Sequence, residues 1–526
     1  MSAFGFFAHL GALALIVAPV AAQDVTARGA VFHDRNGDGV RDAGEPGLAD
    51  VGVSNGREIV HTDEQGRYRI GLDDDDIVFV LKPRGWRTPV DEDRIPRFFY
   101  IHKPAGSPAS EYPGVAPTGP LPKSVDFPLT PQEEPERFEI LLFGDPQPRD
   151  QKEIDYLAHT VVEPLLGSDA AFGVTLGDIL YDDLSLFGSI NRTIALIGIP
   201  WYNVLGNHDI NFDAEDDARS DETFESVYGP SYYSFDYGPV HFLVLDDVHW
   251  KGRVTDSEAH VGRNYTGGLG EDQLEFIRRD LEAIPDDQLV VLFMHIPLIA
   301  PWVEPERERL YRMLEKRPLA MSVSAHYHYQ EHLWLTEKDG WRGAEPHHHV
   351  IAVTTCGSWW RGVPDEQGIP VTTMRDGAPH GWLSMTFDGS EYVMDYHAAR
   401  EPGNQQMHVW APESFARRQA HVTELLVNVY NGSERSRVEF RLDGAGDWSP
   451  LTQTARPDPY YEEAKGRETE SLPREWKLPG AIPSPHLWSA HFPRGLEAGQ
   501  HRLDVRTTDP WGRTFETSRS FRVDDR

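Results

Sequence analysis

Between residues 138 and 328 five short apolar runs each end on side chains that bind hard or borderline metal ions. Asp145 follows Ile140, Leu141, Leu142 and Phe143; Asp178 follows Val174, Thr175 and Leu176; Asn207 follows Val204 and Leu205; His295 follows Val291, Leu292 and Phe293. The fifth run ends in Ala325-His326-Tyr327-His328, and alternation along a strand puts histidines spaced i, i+2 on one face. Oxygen and imidazole donors converging on one sheet edge suit two divalent ions about 3.5 to 4 Å apart, which clamp the attacking and leaving oxygens of a phosphoryl group. Gln147, two residues after Asp145, offers a neutral, hard amide oxygen that donates more weakly than imidazole, which favours Mn or Mg at one of the two positions.

These residues need a scaffold that points five chain segments the same way. From Phe138 to about Arg400, strands of four to seven apolar residues alternate with helical segments such as Asp272–Ile284 and Glu306–Lys316, the pattern of an α/β domain. Residues 23–103 alternate short apolar runs with turns at Asn55-Gly56 and Gln65-Gly66, which predicts a β-sandwich. Proline-rich residues 104–136 read as an extended connector. Residues 403–526 return to strands, broken by a polar insertion around Arg456 to Pro483, and predict an immunoglobulin-like β domain. A chain of 526 residues exceeds what one core holds, in keeping with this division.

Residues 1–22 have an apolar centre, Leu10 to Ala18, followed by the small-residue pattern Val20-Ala21-Ala22, and predict a signal peptide cleaved before Gln23. The expected location is therefore periplasmic or extracellular, in a bacterium, with no stable membrane insertion once the leader is removed. Cys356 is the single cysteine, so no internal disulfide forms. The sequons at Asn191, Asn264 and Asn431 then read as accidental. A net charge of −34 repels nucleic acid and anionic membranes, and a phosphorylated substrate must be drawn in by local positive charge such as metal ions supply.

Taken in order, Gly144-Asp145-Pro146-Gln147, Gly177–Asp182 with its two acids, Gly206-Asn207-His208-Asp209, Met294-His295 and Ala325–His328 resemble the motifs of calcineurin-like metallophosphoesterases, kin of purple acid phosphatases. Those motifs run DxH, GDxxxD, GNH[DE], a lone His and GHxH. The match spans roughly residues 138–330, and the flanking segments are similar to the β-domains of one bacterial subgroup. The resemblance implies a four-layer αββα sandwich over residues 137–402, flanked by the two β-domains, and two divalent ions of Mn, Fe, Zn or Mg. It assigns Asp145 and His328 to one ion and Asn207, His295 and His326 to the other, with Asp178 bridging. Gln147 occupies a ligand position where His is usual, and Ala325 replaces a turn-easing Gly. A bridging hydroxide would attack phosphorus in line while His208 protonates the leaving alkoxide. Asp182 is the residue expected to orient His208, with Asp183 and Asp209 as competitors.

Other stretches invite chemistry. Asp34, Asn36, Asp38, Val40, Asp42 and Glu45 match the calcium-loop pattern DxNxDGx5E between strand-like flanks, and predict a structural calcium site. His347, His348 and His349 are consecutive, so their side chains diverge, and they read as a polar loop. His241 lies in an apolar run and reads as a core histidine. Trp359, Trp360, His380 and Trp382 follow the last metal motif and are candidates for the pocket wall, with Cys356 a small buried residue beside them. The function expected is hydrolysis of a small phosphorylated metabolite. A phosphodiesterase or pyrophosphatase acting on a nucleotide or lipid headgroup is the alternative within enzymes, and a non-catalytic surface binding protein the alternative outside them.

Overall fold

A computed structural model describes residues 25–253, 264–403 and 405–525. The leader lies outside these residues. Two sheets form the middle of the chain. In the first, Arg137–Phe143 pairs in parallel with Phe172–Thr175, which pairs in parallel with Trp201–Asn203. The hairpin Gly381–Asp388 and Glu391–Ala398 closes its other side antiparallel. In the second, Val240–Val244, Leu289–Phe293, Ala320–Ser324 and His347–Ile351 run parallel, with antiparallel edges Tyr233–Tyr237 and Glu331–Leu335.

Parallel strands buried on both faces read as continuous apolar runs, which is what Leu289–Phe293 and Phe172–Thr175 show. The sheets stack through aromatic rings: Phe242 of the second lies 5.2 Å from Phe172 and 5.7 Å from Phe387 of the first. Helices Gln151–Leu157 and Phe187–Ile194 pack together, as do Gly270–Ala283 and Glu304–Leu314, completing the αββα layers. All the parallel strands present their carboxyl ends to one rim, where open α/β sheets place their ligands.

The amino-terminal domain is a sandwich of two four-stranded sheets. One of them includes Phe127–Pro131, paired in parallel with Val25–His33, so the proline-rich segment read as a connector ends inside this sheet. Its apolar core runs without a break into the catalytic sandwich. Phe79 meets Phe276 at 5.7 Å and Phe98 meets Tyr233 at 4.9 Å.

The carboxyl-terminal sandwich of four and five strands has its own core, built on Leu425, Val427, Trp488, Leu503 and Phe521. It meets the catalytic sandwich through Tyr430, which packs into the catalytic core 5.4 Å from Tyr396, and through buried polar groups. The Asp376 carboxylate accepts from His486 Nε2 at 2.9 Å and from the Gln330 backbone at 2.9 Å, and His486 Nδ1 lies 2.7 Å from Asn428 Oδ1.

Candidate metal centre

The five motif segments leave their strands at the shared rim, and the backbone there is unusual. Asp145, Gln147, Asp178, Asp182, His326 and His328 all have left-handed φ, between 39° and 72°. Such residues cost of order 1–3 kcal/mol each and persist only where their surroundings over-determine them. Here the loops brace one another: Gln147 N donates to Asp178 O at 3.1 Å, Ala325 N to His295 O at 3.0 Å and Cys356 N to Asp145 O at 3.2 Å.

The left-handed turn also revises the argument from strand alternation. The strand ends at Ser324, so His326 and His328 lie beyond it and do not share a strand face. They diverge instead: His326 Nδ1 lies 3.1 Å from His295 Nε2, whereas His328 Nε2 lies 3.8 Å from Asp145 Oδ1.

Two donor groups result. In one, His295 Nε2 is 3.0 Å from Asn207 Oδ1, 3.2 Å from Asp178 Oδ1 and 3.1 Å from His326 Nδ1. Donors at roughly 2.1 Å from a single cation stand about 3.0–3.4 Å apart, so these separations are edges of a coordination polyhedron. Asp178, His295 and His326 form the one cluster of three or more His, Cys, Asp or Glu among the described residues that could hold an ion. In the other group Asp145, fully buried, faces His328.

The charges agree with this fit at His326 and His328, whereas at His295 burial is outweighed by Asp178, Asp145 and Asp247, which raise it to about 10, so that ring must give up a proton to bind an ion. Burial pushes Asp145 up, and no Lys or Arg among the described residues pairs with it. Burial alone would raise Asp178 too, but His295 and His208 outweigh it and hold it below the usual carboxylate range. Burial pushes His326 down to about 3 and His328 to about 4, so both rings are neutral and have a lone pair to donate.

Gln147 points its amide nitrogen into the group, donating to Asp178 Oδ2 at 2.8 Å, while its oxygen lies 4.0 Å from Cys356 Sγ. In this arrangement it steadies Asp178. His208 N also donates to Asp178, at 2.9 Å.

His208 Nδ1 is 2.5 Å from Asp182 Oδ1, and the ring stacks on Tyr181 at 4.9 Å. Burial lowers its basicity, but Asp178 and Asp182 raise it by more, which favours the protonated ring. Neither competitor of Asp182 reaches it. Asp209 is buried and accepts from Ile179, Leu180 and Gly206 N, and Asp183 accepts from Ser185 N at the start of a short 3-10 helix.

Of the four pocket-wall candidates, Trp359 alone lines the cleft over the centre, stacked on His328 at 4.1 Å. Trp360 is buried and donates to Pro146 O at 2.8 Å; His380 is buried against Thr355 O; Trp382 stacks on His397. Cys356 is buried between Gln147 and His328. His347–His349 are no polar loop but a buried strand. Ser322 meets both His347 and His349, and burial holds both rings down near 3, so they stay neutral in the core. His241 is a core histidine, held between Asp236 and Asp280.

Sequence reasoning missed Asp247, which accepts from His295 N at 3.0 Å and Ile296 N at 2.9 Å and so sets the turn that carries His295. The signal was present, because Asp247 too ends an apolar run, Phe242 to Leu245. Tyr265, Arg361 and Pro479 also line the cleft with no motif to mark them, and Tyr181 does so from an unspecified position within the Gly177–Asp182 motif. In the calcium-loop segment the Asp34 carboxylate accepts from Gly37 N and Gly39 N, and Asn36 donates to Asp38 and Asp42.

Residues 138–330 match the family described as calcineurin-like phosphoesterase, residues 35–112 match its N-terminal region and residues 349–515 its C-terminal region. A curated relative, the probable glycerophosphodiester phosphodiesterase GpdQ of Arcobacter nitrofigilis, is 29% identical over 146 residues, 26% of this chain and 48% of its own. The chain thus spans about half the length of that relative. Among solved structures, a purple acid phosphatase from yellow lupin (Lupinus luteus) seeds aligns at 12% identity over 72% of this chain and 67% of that one, with a TM-score of 0.35. CopC from Methylosinus trichosporium OB3b aligns at 15% identity over 22% of this chain and 89% of its own, with a TM-score of 0.14.

Proposed function

We infer the reaction from one premise: the chain belongs to the calcineurin-like phosphoesterases, and it is a metal-dependent phosphoester hydrolase. The observation that carries the finer reading is the convergence of Asp145, Asp178, Asn207, His295, His326 and His328 at one rim, in two groups that meet at Asp178. Two divalent ions held there supply Lewis acidity to the phosphoryl oxygens and make water a usable nucleophile near neutral pH. Asp145 and His328 would hold one, and Asn207, His295 and His326 the other. Asp178 stands between them, its second oxygen held by Gln147. His208, fixed through Nδ1 by Asp182, has Nε2 left to pass a proton to the departing alkoxide.

The substrate is a small phosphorylated compound, with no nucleic acid involved. The named activity of the Arcobacter relative favours a diester over a monoester. Export by the leader and calcium bound by Asp34, Asn36, Asp38, Val40, Asp42 and Glu45 complete the reading. Incubation of the Mn-loaded protein with paired alkyl monoesters and diesters tests it: splitting of the diester names the class, release of phosphate from the monoester alone reverses that choice, and silence on both overturns the choice of a small alkyl ester as substrate. Chelation of the intact, metal-stripped protein followed by calcium addition tests the loop, since an unchanged melting curve removes calcium from the account.

A further inference from the structure

Arg361 is the one Lys or Arg among the described residues lining the cleft. Its Nε is buried without a hydrogen-bond partner, and it forms no ion pair with any described carboxylate. In a chain of net charge −34, an unpaired guanidinium beside a metal centre is out of character. Arg149, by contrast, is occupied by Glu153 and by the Trp359 carbonyl.

The loop that carries Arg361 is tightly held. Trp359 and Trp360 both have left-handed φ, 57° and 52°, and Trp360 is pinned to Pro146 O. Gly362 N donates to Trp476 O of the carboxyl-terminal insertion at 2.9 Å, and any side chain at Gly362 would run into Val371 O. The guanidinium lies 5.7 Å from the Trp359 ring, and that same indole stacks on His328. One aromatic plate therefore spaces the cation from the ions' own ligands, and Pro479 of the insertion forms the adjoining wall.

We propose that Arg361 binds a second oxyanion of the substrate, so that the enzyme selects phosphoesters carrying a phosphate or carboxylate beyond the scissile phosphorus. The claim rests on the phosphoester-hydrolase reading. The ions answer the charge on the reacting phosphoryl group, and a planar fork of donors set apart from them matches a second phosphate or carboxylate.

The test is calorimetric binding to the intact Mn-loaded protein of propylphosphonate, 3-phosphonopropanoate and propane-1,3-diphosphonate, for the wild type, Arg361→Met and Arg361→Lys. The two ligands that carry a second anionic group are expected to bind about 10- to 100-fold tighter than propylphosphonate in the wild type. That ratio should fall near unity in Arg361→Met and recover in part in Arg361→Lys. Comparison of the carboxylate and phosphonate arms names the group preferred. A wild-type ratio near unity, or a ratio that survives in Arg361→Met because all three ligands weaken together, overturns the proposal. Hydrolysis assays on the same preparations keep the two claims apart: a protein that splits no ester yet shows the Arg361-dependent ratio refutes the hydrolase and leaves the anion site standing.

Discussion

Asp178 takes part in more of the centre than any other side chain, since His295, Gln147 and the His208 backbone all meet its carboxylate. Asp178→Asn should therefore abolish turnover in a folded protein; retention of more than about a tenth of the rate, a barrier change under about 1.4 kcal/mol, would contradict the shared-ligand role. His208 acts later, at the leaving group. His208→Ala should slow alkyl esters by about 10² to 10⁴ and aryl esters far less, because aryl oxide departs without a proton; equal losses would make His208 a phosphate-binding residue. Gln147 holds one oxygen of Asp178, so Gln147→Ala should weaken one Mn site by about 10- to 100-fold while two ions still bind at saturation. Ion counting during Mn titration of apo-protein decides between this and a directly ligating Gln147, whose removal would cut the stoichiometry.

Among the elements, the pairing of strand Val240–Val244 with helix Gly270–Ala283 depends on His241, which bridges Asp236 and Asp280 at 2.8 and 2.9 Å. Burial opposes its charge, but the two carboxylates win and raise it to about 10 from an ordinary 6.5. A raised folded-state value means stability that is complete below about pH 6.5 and is lost as pH climbs through about 10. His241→Gln should thus cost roughly 3 kcal/mol near pH 6, and the gap to wild type should close towards pH 10 in paired unfolding curves; a gap independent of pH would mean the histidine is neutral in the fold. The turn Ala325–Gln330 has its own brace, the Asp376 carboxylate shared between Gln330 N and His486. Loss of His486 would leave that carboxylate buried with backbone donors alone, from Ala378 and from Gln330, which is two residues from His328.

At the scale of the whole molecule the two flanking sandwiches are joined to the catalytic one by different physics. The amino-terminal domain shares an apolar core with it, through Phe79, Phe98, Tyr233 and Phe276, and Glu134 of the connector bridges the two, pairing with buried Lys82 at 2.7 Å and accepting from Gly238 N at 3.0 Å. Removal of residues 25–131 should expose that core and give aggregated or unfolded catalytic domain. The carboxyl-terminal domain has a core of its own and a mixed seam, in which Tyr430 joins the catalytic core beside the Asp376–His486 contact, so heating should melt it in a transition of its own, seen by calorimetry as a second peak that His486→Phe moves. A single peak common to all variants would show that the seam couples the two as strongly as a shared core.

The ligand-bearing motifs and the order of strands that carry them are legible in the chain because each is local: a buried parallel strand must be an apolar run, and a donor at its carboxyl end must follow that run directly. The same logic made the amino-terminal sandwich and the terminal β domain readable from their turns. What local pattern could not supply was direction and distant partnership. His326 and His328 separate into two donor groups because the chain turns left-handed after Ser324, a conformation paid for only by hydrogen bonds from other loops. The histidine run 347–349 looks polar and is buried, since Ser322 on the neighbouring strand satisfies its rings. Which acid orients His208, which tryptophan faces the cleft, and the approach of Arg361 and Pro479 to one centre from segments far apart in sequence were decided by tertiary contacts, because hydrogen-bond partners and cleft walls are set by distance in space and leave no periodicity in the sequence.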